Sequence, residues 1–117
     1  MKFDSYTFQT SRNLAAIIDI IKTASYEFKA NIDKLDDPFS GLGNYSPDVA
    51  VIMTGKNRLG AGPRGWGMQI YVTDLGNSRS VELIALGDGI LHKMSGGDFF
   101  DLGLSKKFRD KLERKIS

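Results

Sequence analysis

Apolar residues in this chain change their spacing twice, and that change limits the fold more than any other feature. From Leu14 to Phe28 they recur every three or four positions, as Leu14, Ile17, Ile18, Ile21, Ala24 and Phe28. Such spacing puts one apolar stripe on a helix, expected over residues 11–29 with the Ser11 hydroxyl as its N-cap. In the middle of the chain the period falls to two. Met68, Ile70 and Val72 alternate with Gln69, Tyr71 and Thr73, the pattern of a strand with one wet face. Near the end the period lengthens again, with Leu104, Phe108, Leu112 and Ile116 four apart, so a second helix is expected over 105–116, capped by Ser105.

The remaining elements fit around these. Residues 2–10 read as a strand, and Asp36-Asp37-Pro38 with Gly41 to Asn44 as turns around a packed loop or short strand. Residues 48–54 are apolar on both faces and read as a central strand. Gly76-Asn77 turns the chain into a hairpin partner at 80–87, and 90–94 forms a further short strand. The expected architecture is one α+β domain spanning 1–117, an antiparallel sheet of about four to five strands. The N-terminal-region helix and the C-terminal helix both lie on one face, so that their stripes are buried together. In element order alone this resembles helix-grip domains, which implies a curved sheet closing on the C-terminal helix around an apolar ligand.

Composition excludes several classes of function. The chain has no cysteine, hence no disulfide and no thiolate metal site. No run approaches the ~20 apolar residues of a membrane span, and Asp4 and Gln9 interrupt any signal-peptide core. A cytoplasmic protein is the expectation. Charge is uneven: residues 105–117 carry six basic groups against two acidic, a net of +4, while the remaining residues carry ten basic and twelve acidic.

Few residues offer chemistry. Residues 55–67 hold Gly60, Gly62 and Gly65 in a GxGxxG spacing, but Pro63 removes an amide and a strand pattern follows where a dinucleotide fold needs a helix. Lys56, Arg58 and Arg64 could still cradle a phosphate there. The preferred reading is a hairpin loop, with 55–66 the most mobile internal segment. Trp66, the one tryptophan, either stacks on a ligand or anchors that loop on the core, the anchor being preferred. His92, the one histidine, is the catalytic candidate, with no carboxylate placed by spacing to orient it. Asp98 and Asp101 match neither a calcium loop nor a zinc signature, so neither metal nor cofactor is implied.

The leading functional reading is a small non-enzymatic binding or protein-interaction module. Its groove would lie between sheet and C-terminal helix beside Trp66, for a protein partner or a small apolar ligand, with homo-oligomers allowed. The alternative is a nucleic-acid-binding domain using Lys106, Lys107, Arg109, Lys111, Arg114 and Lys115 with Arg58, Arg64 and Trp66. A small enzyme built on His92 ranks third.

Overall fold

The computed structural model describes residues 2–35, 42–43, 46–56, 65–87 and 100–117. These form an α+β fold: β1 (Phe3–Thr10), α1 (Leu14–Glu27), β2 (Asn31–Lys34), β3 (Val49–Lys56), β4 (Gly65–Asp74), β5 (Arg79–Leu86) and α2 (Leu102–Ile116). The five strands make one antiparallel sheet in the order β1-β5-β4-β3-β2. The segment read as a central strand becomes β3, second from the edge, and β4 takes the middle. The expected strand at 90–94 lies outside the described residues.

Both helices cover the same face. Ile17, Ile21 and Ala24 of α1 and Leu112 and Ile116 of α2 are buried in one cluster with Met53, Trp66, Met68, Ile70, Val72, Val81 and Leu83. Pairing of Ile70 with Leu83 and Val72 with Val81 puts those side chains on that face, as strand alternation requires. The opposite face carries a smaller cluster of Ile52, Tyr71, Ile84, Leu86 and Phe100, with Leu35 and Leu42 packed on it. β4 is therefore buried on both faces from Trp66 to Val72, where the sequence suggested one wet face. Its polar groups are answered internally: the Tyr71 hydroxyl donates to Gln69 Oε1 (2.7 Å), and the Leu42 amide bonds both side chains.

Both expected caps are displaced. Arg79 donates to the carbonyls of Ser11 (2.9 Å) and Arg12 (2.7 Å), holding that stretch outside the helix. Asn13 caps α1 instead, its Oδ1 accepting from the Ala16 amide at 2.8 Å. Asp101 caps α2 by accepting from the Leu104 amide, which frees Ser105 to turn inward. The Ser105 hydroxyl accepts from the Gly67 amide (3.0 Å) and donates to the Leu86 carbonyl (2.7 Å). Gly67 and Leu86 are opposed in the β4–β5 ladder, so one hydroxyl bridges the backbone where α2 enters the sheet.

Candidate functional site

Strand β4 brings Trp66 to the junction of both helices. Its side chain is fully buried, stacked on Phe108 at 4.2 Å between ring centroids, with Phe28 edge-on at 6.1 Å. The indole lies across Gly55, the residue opposite it on β3, where any Cβ would collide with the ring. This is the anchor reading. The three rings occupy the space between α2 and the sheet where a ligand groove was expected. Gly55 and Lys56 belong to β3 and Gly65 and Trp66 to β4, so the reading of 55–66 as a mobile loop does not extend to its ends. Arg58, Arg64, His92 and Asp98 lie outside the described residues. Among the described residues no cluster of histidine and carboxylate groups could hold a metal ion, and no helix is long and apolar enough to cross a membrane.

The basic residues of α2 divide into two groups. Arg109 belongs to the structure. It is buried, and its guanidinium holds the Asp4 carboxylate and the Asp4 carbonyl (2.8 Å) on β1, together with Asp110 (3.1 Å). The hydrogen bond from Arg109, reinforced by its charge and that of Lys106 against a burial penalty, holds the Asp4 carboxyl below its usual range. Arg109 thus leaves the set of cations available to a partner. A signal for this existed in the sequence: Arg109 follows Ser105 by four and precedes Leu112 and Ile116 by three and seven, so it falls on the inward face.

Lys107, Lys111, Arg114 and Lys115 follow one another at spacings of four, three and one, which places them along one outward arc of α2. Lys107 and Arg114 are exposed, and neither is in a salt bridge among the described residues. Lys111 lies over the Phe108 ring at 5.2 Å. Lys115 pairs with Glu27 across the helices at 2.6 Å, both side chains part-exposed. Lys111, Arg114 and Lys115, with Glu27 and Phe28, line a shallow depression of about 420 Å³ between the end of α1 and α2. A second depression of about 160 Å³ lies on the other flank of Arg114, lined by Tyr6, Asp110, Glu113 and Arg114. Tyr6 is 46% exposed there, although it sits on a core-facing strand position. The sequence reading missed Tyr6, because its pairing with α2 depends on the strand order.

No protein-family model matches the chain, and no curated protein sequence matches it. Among solved structures the fold is similar to that of the vertebrate conserved region of human METTL16. The TM-score is 0.52 and the identity 11%, over 99% of this chain and 98% of that one. The likeness is one of fold.

Proposed function

We propose that this protein is a binding module, resident in the cytoplasm, that holds a nucleic acid by its phosphates on the outward face of α2. The observation that carries the reading is the arc of Lys107, Lys111 and Arg114, continued by Lys115 beside an open depression. Cations on one rigid helix at one-turn spacings suit a repeating anion such as a phosphate backbone. The Lys115–Glu27 pair is part-exposed, so it is worth little and exchanges readily for a phosphate contact. The rings that fill the space beneath α2 favour this outer face over the expected inner groove.

Fluorescence anisotropy with a labelled random-sequence nucleic acid tests the proposal. Three phosphate contacts predict a loss of affinity between 50 and 200 mM salt of roughly 40-fold for a duplex and roughly 20-fold for a single strand. Lys107→Glu combined with Lys111→Glu should flatten that dependence by about two contacts. The double variant should stay folded, losing at most about 1 kcal/mol with the Lys111–Phe108 contact. Salt-independent binding, or unchanged affinity in the double variant, would sink the reading. So would binding to anionic vesicles with none to nucleic acid.

A further inference from the structure

We infer that the strand bound at α2 is single-stranded and that one of its bases stacks on Tyr6; this rests on the nucleic-acid reading above. Tyr6 is 46% exposed at the junction of β1 and α2, with the Phe8 ring beside it on the same strand face at 5.8 Å between centroids. The depression beside it is lined by Tyr6 from β1 and by Asp110, Glu113 and Arg114 from α2. Glu113, together with Asp110 as the partner of Arg109, offsets Arg114 in this depression, so the phosphates fall to the arc of Lys107, Lys111 and Lys115. What enters the depression is the base. Its face lies on the tyrosine ring, and its N–H edge donates to Asp110 or Glu113, both acceptors when ionised. Arg114 lines both depressions and bridges the phosphate and base sides of the site.

A duplex keeps its bases paired and stacked inside and cannot use Tyr6, whereas a single strand can splay one out. Phosphate contacts and base stacking are common to both kinds of strand, so DNA and RNA single strands should bind within a few-fold of each other.

The test is anisotropy titration of a labelled twelve-nucleotide single strand of mixed sequence, against the duplex of the same sequence, at fixed salt. Wild type should bind the single strand about tenfold more tightly than the duplex. Tyr6→Ala and Tyr6→Leu should each lose most of that tenfold, with duplex affinity unchanged, while Tyr6→Phe keeps it. Leucine preserves apolar cover over Phe8 but removes the ring plane, so a merely structural role would leave Tyr6→Leu like wild type. Equal affinity for the two forms, or single-strand binding unaffected by Tyr6→Leu, would overturn the inference while the phosphate reading stands. Absence of binding to either form would remove both.

Discussion

Trp66 shows how one side chain settles between two readings that composition leaves open. A tryptophan between glycines in a cation-rich stretch looks like a displayed ring, yet Gly55 on the neighbouring strand is the reason it is not displayed. Gly55 leaves the floor on which the indole lies, and a Cβ on Gly67 would come within 2.9 Å of the Phe100 ring on the other face. With Trp66 buried and stacked on Phe108, Trp66→Ala should cost about 3–5 kcal/mol in urea unfolding. Ser105 has a comparable position on a smaller scale. Ser105→Ala strands the Gly67 amide and the Leu86 carbonyl in a buried site, and should cost about 1–3 kcal/mol. Lys29 works in the opposite sense. It ends α1 at φ 52°, with its amide on the Tyr26 carbonyl and that of Ala30 on Ser25, a closure usually made by glycine. Lys29→Gly should therefore not destabilise the fold, and a gain of up to about 1 kcal/mol is expected from relief of the left-handed strain.

At the scale of elements, the pair that joins β1 to α2 gives a pH signature. Asp4 has its carboxyl held low by Arg109, so its contribution is complete above the unfolded value near 3.9 and is lost as pH falls through the lower folded value. The stability difference between wild type and Asp4→Asn should be constant near neutrality and shrink towards zero as the acid is titrated. A difference that grows on acidification would contradict this assignment. The elements themselves were legible because their apolar periods are strong: the stripes of α1 and α2 and the strands at β3, β4 and β5 all lie where the spacing puts them. What the sequence concealed depends on partners distant along the chain. Ser11 and Ser105 satisfy the local rule for a cap, but Arg79 claims the first region and the β4–β5 ladder claims the second. The outward arc of α2 was legible as a charge run. The spacing of Arg109 already put it on the inward face, but finding its partner Asp4, like finding Tyr6, required knowing that β1 lies alongside.

At the scale of the molecule, the two ends of the described chain are tied to one another through the sheet and α2. Arg109 reaches Asp4, Arg12 donates to the Ile116 carbonyl at 2.7 Å, and Lys115 holds Glu27. Ile116 is fully buried one residue before the last, so the final turn of α2 is part of the core. The same core includes Trp66, which touches rings from both the end of α1 and the middle of α2. Detachment of α2 would therefore expose the indole, while far-UV circular dichroism follows both helices and the sheet. If all the layers stand or fall together, the two signals should give one coincident urea transition. Ile116→Ala should lower both midpoints equally, by about 2–5 kcal/mol of stability, as for a large aliphatic removed from a core. Should tryptophan emission shift at lower urea than the dichroism, α2 would be a separately unfolding layer. The recognition face proposed on it would then depend on that local equilibrium and not on the stability of the whole fold.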